Sequence, residues 1–479
     1  MHFDRLAGAR RAPRVRMLAS RPRLLAAGAT LLIMSWTLTV SAAVCYVNGT
    51  ASGANTGASW TDAYTDLQSA LNNASCTEVW VAQGIYKPAA SNTAVSFNIG
   101  PNVAVYGGFS GSETSRDARS PVAHATTLSG VISGGNSQHV VVMNGTAGTS
   151  ITATTVLDGF TLTGGNNTNG KGGGALWCQG NGAGHACNPT LANLVFSGNH
   201  AGNGGAMALD GYSGGASNPT LTNIAFSNNS ASTFGGAMYC NAQLTGGNCS
   251  PTLTNVTFST NSSGTYGGAM FNDGSGSGNS SPILTNVTFS GNSAASSGGA
   301  IFNNGGGGTS SPTLTNVTFN GNSASYGGAM YNSGGTNGNS SPTLNNVILW
   351  GDTATTSGAE LYHSASGSGS AVSFIYYGII EGDCQINMSC SNTTASDPQL
   401  GTLGDNGGFT LTLMPGSAGS AVNTVPCYLT PLTDQRGAAR PDPASAALPK
   451  RCDMGAVEAG SLAGDVIFIG TFGQAPRDE

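Results

Sequence analysis

Charge is nearly absent where most of this chain lies. Positions 172–435 contain no lysine or arginine, and charged residues make up 8% of the whole. A surface without cations over that stretch cannot neutralise phosphates, which excludes nucleic-acid binding by this region. It equally disfavours an anionic membrane surface or a polyanion held by salt bridges. The net charge of −6 describes no single surface, because most of the 16 basic residues sit at the two ends. Catalytic constellations are missing too: there is no defensible Ser-His-Asp or Cys-His arrangement, phosphate loop or cofactor fingerprint. His139, His185 and His363 are isolated, whereas a metal site needs clustered ligands, so neither a cofactor nor a metal is expected.

The amino terminus carries the cations. Seven arginines, from Arg5 to Arg23, precede the apolar run Leu24 to Val40, and Ser41 to Ala43 supplies small residues for cleavage. That pattern is a secretory signal over residues 1–43, with Met17 as an alternative start. The other reading of the run is a membrane anchor, since its 17 residues are near the lower limit of a span. All ten cysteines follow it, and an even number in an exported chain favours disulfides. Cys178 with Cys187, and Cys240 with Cys249, are each nine residues apart at the same place in a repeat, and a later copy replaces both members together, by Asn272 and Ser280. Joint loss is what a bridge across one loop produces. Proximity alone suggests Cys45 with Cys76, Cys384 with Cys390, and Cys427 with Cys452.

The repeat is plain once aligned on proline. Pro189, Pro219, Pro251, Pro282, Pro312 and Pro342 are spaced by 30, 32, 31, 30 and 30 residues. A phenylalanine column follows at Phe196, Phe226, Phe258, Phe289 and Phe319, and a polar column at Asn199, Asn229, Asn261, Asn292, Asn322 and Asp352. A second asparagine column runs Asn193, Asn223, Asn255, Asn286, Asn316 and Asn346, and Gly-Gly-Ala triplets begin at Gly204, Gly235, Gly267, Gly298 and Gly327. Helical arrays of similar period need helix formers, but these copies are rich in Thr, Val, Phe, Tyr, Asn and Gly, which favour strands and turns. Alternation in Val-Thr-Phe puts Leu253, Val256 and Phe258 inward and leaves Thr257 facing outward.

Copies of about three short strands, stacked at roughly 4.8 Å, make a parallel β-helix. Identical side chains then lie above one another, so Phe stacks on Phe, Asn ladders satisfy their amides between coils, and Gly supplies positive φ at corners. A repeated Lys or Glu would repel its own copy at that spacing, which accounts for the missing charge. The many Asn-x-Thr sites are a by-product of these columns.

The segments PTLTNVTFSGN and GGAMYN resemble the repeats of bacterial right-handed parallel β-helix proteins, including the polymorphic outer membrane protein repeat, over about Gly172 to Tyr362. Upstream, GASWTDAYTDLQSALNNA, VWVAQGIYKP and VYGGFSGSETSRDAR resemble the opening coils of secreted pectate-lyase-like β-helices. In those a short amphipathic helix, here Thr61 to Asn73, covers the open end through Trp60, Tyr64, Leu67 and Leu71. Downstream, DPQLGTLGDNGGFTLTLMPGS, TDQRGAARP and CDMGAVE are similar to the choice-of-anchor Q domain. The implied fold is all-β: a right-handed parallel β-helix with a short capping helix. Its expected organisation is a signal peptide at 1–43, cap and first coils at 44–171, and repeats at 172–362. Final coils with the anchor-like domain follow at 363–460, and a tail at 461–479. Arg436, Arg440, Asp453 and Glu458 are expected to form an ion network at the far end. Nothing after Gly460 is long enough for a transmembrane barrel, so self-anchoring by a barrel is not expected.

Two functions fit. The first is an exported or cell-surface, outer-membrane-associated scaffold of adhesin type, without catalysis, that binds extracellular carbohydrate or surface protein. Tyr212, Phe234, Tyr266 and Tyr326 are its candidate ring-stacking contacts, and the last two also suit corner packing. The alternative is a polysaccharide-degrading enzyme. A lyase needs a Lys or Arg that the repeats lack, whereas a hydrolase needs carboxylates roughly 5 to 9.5 Å apart. Asp352, Glu360 and Asp383, with Glu381 beside them, are the candidate group, set against solvated loop carboxylates. Asp210 and Asp273 share a column but lie two coils apart.

Overall fold

The computed structural model describes residues 44–168, 172–441 and 450–461, so the expected signal at 1–43 and the tail beyond Ser461 lie outside the described residues. Short strands wind into a right-handed parallel β-solenoid of about 11 turns with about 3% helix. Seven successive turns position the surfaces that matter below. Coil 1 runs from Val156 to Gln179, coil 2 from Thr190 to Asp210, and coil 3 from Thr220 to Asn241. Coil 4 runs from Thr252 to Asp273, coil 5 from Ile283 to Asn304, coil 6 from Thr313 to Gly334, and coil 7 from Thr343 to Ala365. Each contributes to three sheets: in coil 4 the first sheet takes Thr252–Ser259, the third Ser262–Ser263 and the second Met270–Asp273.

Register between coils follows residue type. Leu253 lies beside Leu221 and Leu284, and Phe258 beside Phe226 and Phe289. The phenylalanine rings from Phe196 to Phe319 stack with centroids 4.8 Å apart at every step and are fully buried. In Gly-Gly-Ala-Met both Ala269 and Met270 are buried. Gly267 holds a φ of +65°, and a Cβ on Gly268 would collide with the Gly299 carbonyl oxygen of the next coil. The triplet therefore marks a left-handed corner followed by a close coil-to-coil approach.

The first asparagine column forms a continuous buried ladder. The Asn229 side-chain amide donates to Asn261 Oδ1 at 3.0 Å, Asn261 donates to Asn292 at 2.9 Å, and Asn292 donates to Asn322 at 2.9 Å. Each Oδ1 from Asn229 to Asn322 also accepts the backbone N–H of the preceding asparagine, and from Asn229 onward each amide reaches a phenylalanine carbonyl, as Asn261 does with Phe226 at 3.0 Å. The second asparagine column does something glycine was expected to do. Asn193, Asn223, Asn255, Asn286, Asn316 and Asn346 all take φ between 50° and 57°, bending the long first-sheet strand midway. Asparagine tolerates the left-handed region where most residues do not.

The helix is shorter than expected, Leu67–Asn72, with Asp66 accepting from Ser69 N at 2.8 Å as its N-cap. Residues before it are engaged elsewhere, since Tyr64 exchanges backbone hydrogen bonds with Tyr46 and Asn48. Leu67 and Ala70 close the first coil, with Tyr64 and Leu71 packed beside them. Trp60 does not cap the core; it joins Tyr46, Trp80 and Phe109 in a separate aromatic cluster.

The carboxy-terminal segment also departs from expectation. Instead of extending the far end, residues 397–441 and 450–461 return along the outer face of the first sheet. Thr257 Oγ1 donates to the Leu411 carbonyl at 2.6 Å, Thr288 Oγ1 to Gln435 Oε1 at 2.7 Å, and Thr318 Oγ1 accepts from Ala456 N at 3.0 Å. These threonines, assigned outward by alternation, are at most 2% exposed because the returning strap covers them. Buried pairs Arg436–Asp434 at 2.7 Å and Arg440–Glu458 at 3.1 Å hold the strap together, and Asp453 accepts backbone N–H groups from Asn423 and Ala459. Disulfides join Cys45–Cys76, Cys178–Cys187, Cys240–Cys249, Cys384–Cys390 and Cys427–Cys452. Where coil 4 lacks one, Asn272 begins an inner ladder through Asn303 to Asn332.

Asn261 lies mid-ladder with all its polar atoms engaged, so truncation orphans several buried groups at about 1–3 kcal/mol each. Asn261→Ala is expected to lower stability by at least ~2 kcal/mol in urea denaturation. A loss no larger than that of the exposed Ser277→Ala would show that the ladder is dispensable.

Candidate functional site

The second sheet has an outer face set by period-two alternation. In each Ala-Met-Tyr-Asn or Ala-Ile-Phe-Asn segment the aliphatic residue points into the core, so the next position faces out. Register stacks those outward positions into one column: Trp177, Ala208, Tyr239, Phe271, Phe302, Tyr331 and Tyr362. From Tyr239 onward the rings are ordered by this stacking, with Phe302 and Tyr331 4.7 Å apart and within 7° of parallel. A corner column runs beside it: Asn203, Phe234, Tyr266, Ser297, Tyr326 and Ser357.

A polar column completes the face two residues beyond the rings, running Gln179, Asp210, Asn241, Asp273 and Asn304. Its carboxylates organise neighbours. Asp210 accepts from Trp177 Nε1 at 2.6 Å and Asn241 Nδ2 at 3.0 Å. Asp273 accepts from Gln243 Nε2 at 2.6 Å, Asn304 Nδ2 at 3.0 Å, Ser275 N at 3.2 Å and the Tyr239 hydroxyl at 3.3 Å. Burial pushes the Asp273 carboxyl up and, with the two aspartates nearby, the Tyr239 phenol well up. Asp273 has its acceptor capacity committed to the fold, and Asn241 stands between it and Asp210, so the two do not form a hydrolytic pair.

Two clefts open on this face. One, of about 470 Å³, is lined by Trp177, Asn203, Asp210, Tyr212, Tyr239 and Gln243 among others. The second, of about 360 Å³, is lined by Phe234, Gln243, Tyr266, Asp273, Ser297 and Tyr331 among others. Of the candidate stacking residues, Tyr212 lines the first cleft, Phe234 and Tyr266 the second, and Tyr326 packs on Tyr362 at 5.1 Å. Sequence reasoning missed Trp177, Tyr239, Phe271, Phe302 and Tyr331. Their signal was present as an aromatic after each inward Met or Ile, but it was usable only once the Met was known to face inward.

The acidic group at coil 7 is a different object from the solvated carboxylates expected. Asp352 ends the asparagine ladder, its Oδ1 accepting from Asn322 Nδ2 at 2.7 Å. Its Oδ2 and both Glu360 oxygens are buried without a donor from the rest of the chain, and the two carboxyls face one another. Burial pushes both acids up, and mutual repulsion raises Glu360 further, so the pair retains a proton. Glu381 is exposed and accepts from Gly351 N at 2.7 Å, while Asp383 is exposed and accepts from Cys384 N at 2.7 Å. Asp352 and Glu360 are each 4% exposed, which keeps them from a polymer backbone. Among the described residues no cluster of three or more His, Cys, Asp or Glu side chains is arranged to hold a metal. His363 is half-buried, and the desolvation depresses its pKa to about 4; its Nε2 lies 2.8 Å from Ser373 Oγ.

Residues 286–311 match the Chlamydia polymorphic membrane protein repeat. The chain is a parallel β-helix repeat protein resembling polymorphic membrane protein repeats. The matched stretch lies in coil 5 and the turn after it, and includes Ser297 and Phe302 of the aromatic face. No curated protein matches the chain. The repeat together with the disulfides fits a surface-associated protein.

The acid pair gives a pH signature. Folded-state pKa values raised above the unfolded ones stabilise fully below about pH 4, and that stability is lost as pH rises through the folded values. Between about pH 7 and about pH 9 the histidines are neutral in both states, so one retained proton costs up to ~1.4 kcal/mol per pH unit. The thermal midpoint is expected to fall across that window. Asp352→Asn should flatten the fall and raise the midpoint at the upper end, because the amide keeps the acceptor for Asn322 and gives Glu360 a donor. Equal slopes in both chains would refute the shared proton.

Proposed function

We propose that this chain is an exported, surface-associated scaffold of adhesin type that binds carbohydrate through the outer face of its second sheet. The carrying observation is the coincidence, on one face, of an aromatic column with a parallel polar column in which amides alternate with carboxylates. Aromatic faces receive the apolar C–H face of a sugar, and amides offer a donor and an acceptor to hydroxyls. The solenoid carries both columns on strands, so the contacts are held without ordering a loop on binding. The engaged state of Asp273 and the burial of Asp352 and Glu360 support binding without bond cleavage.

Purified full chain is expected to bind glycans on an array, with Trp177→Ala and Tyr331→Ala each weakening binding about tenfold, roughly 1.4 kcal/mol. Calorimetry on the selected glycans checks the magnitude. Release of reducing ends or unsaturated products from a polysaccharide panel would overturn this reading in favour of an enzyme.

A further inference from the structure

A further cleft, of about 540 Å³, opens on the outer face of the first sheet beside residues 403–411 of the strap. Its floor includes a row of hydroxyls that register sets one above another: Thr163, Ser197, Ser227 and Ser259. One wall is apolar, made by Leu403, Phe409 and Leu411, all half-buried. None of the residues lining it is charged. From Thr127 to Thr257 the floor crosses four coil steps, roughly 19 Å at ~4.8 Å per step. The ties of the strap from Thr257 onward lie in coils 4 to 7, and the cleft runs back from the first of them through coil 1.

The described chain stops close to this cleft. Arg436 donates from Nη2 to the Ser461 carbonyl at 3.1 Å and from Nη1 to the Asn406 carbonyl at 3.3 Å. One guanidinium thus links Ser461 to the turn that carries Leu403 and Phe409. In the sequence, four residues follow at 462–465, and then 466–472 reads Val-Ile-Phe-Ile-Gly-Thr-Phe, without charge. Asp465 precedes that segment, and the next charges after it are Arg477, Asp478 and Glu479.

We propose that residues 466–472 occupy this cleft as an extended segment of the same chain, lying across the strands of the first sheet. Residues 462–465 reach at most about 14 Å when extended, and seven extended residues cover about 23 Å, enough to run the length of the cleft. A segment that crosses strands cannot join their ladder, so its N–H and C=O groups need side-chain partners. Hydroxyls serve as donor or acceptor, and the floor offers one per coil from Thr163 to Ser259. The large side chains then meet the wall of Leu403, Phe409 and Leu411, and neither charged flank has to enter. This concerns a different face from the carbohydrate reading and stands or falls independently of it.

Hydrogen exchange followed by mass spectrometry on the full chain is the test. Amides of residues 466–472 should exchange about tenfold or more slowly than in a free peptide of the same sequence. Phe468→Asp puts a charge among the apolar contacts, and Ala225→Trp fills the cleft from a half-buried position on its floor. Each should return exchange of the segment to the peptide rate while the amides of coils 4 to 6 keep their protection. Peptide-like exchange in the wild-type chain overturns the proposal, as does protection that both variants leave intact. Protection lost on dilution, with a dimer in light scattering that Phe468→Asp dissolves, places the segment in a second copy and overturns the same-chain assignment.

Discussion

Everything in this molecule depends on one constraint: each residue sits about 4.8 Å from its equivalent in the next coil. The phenylalanine stack meets that distance directly. Asparagine meets it by amide-to-carbonyl bonding, one side chain feeding the next. Charge fails it, and the one ladder that ends in an acid shows how. Asp352 is tolerated by the ladder because its oxygen does what asparagine's would, and by its surroundings because burial keeps a proton on the Asp352–Glu360 pair.

The same constraint divides the surface by function. The inward phenylalanine column is uniform from Phe196 to Phe319 because any change of size leaves a void or a clash in a close-packed interior. Outward columns are released from that rule, and on the second sheet they vary: Ala208 interrupts one aromatic column and Ser297 another. Variation within an otherwise repetitive face is what gives it relief. One cleft is lined by Asn203 and the other by Ser297.

The coil, its register and the inward set Leu253, Val256 and Phe258 were readable in the sequence because stacking repeats them identically. What escaped depended on contacts that no repeat encodes. Alternation places Thr257 outward, yet it is covered: its partner is the Leu411 carbonyl and that of Thr288 is Gln435, both far along the chain. The aromatic face escaped for a subtler reason: Ala269 and Met270 are both buried, which breaks strict alternation at the corner and obscured the phase of the strand that follows. The acids of coil 7 looked like ordinary surface carboxylates because burial is invisible in composition.

The returning strap changes what sort of object the solenoid is. A stack in which each turn touches only its neighbours behaves as a one-dimensional array and frays from its ends. Gln435 ties to Val256 and Thr257 of coil 4 and to Thr288 of coil 5, across a sequence separation of 179 residues to Val256. Ala456 and Asp453 tie to Thr318 of coil 6 and Asn346 of coil 7. Coils 4 to 7 are thereby spliced in parallel as well as in series, like a spring with a rod laid along it. Mechanical load applied along the axis must strip the rod before it can separate those turns.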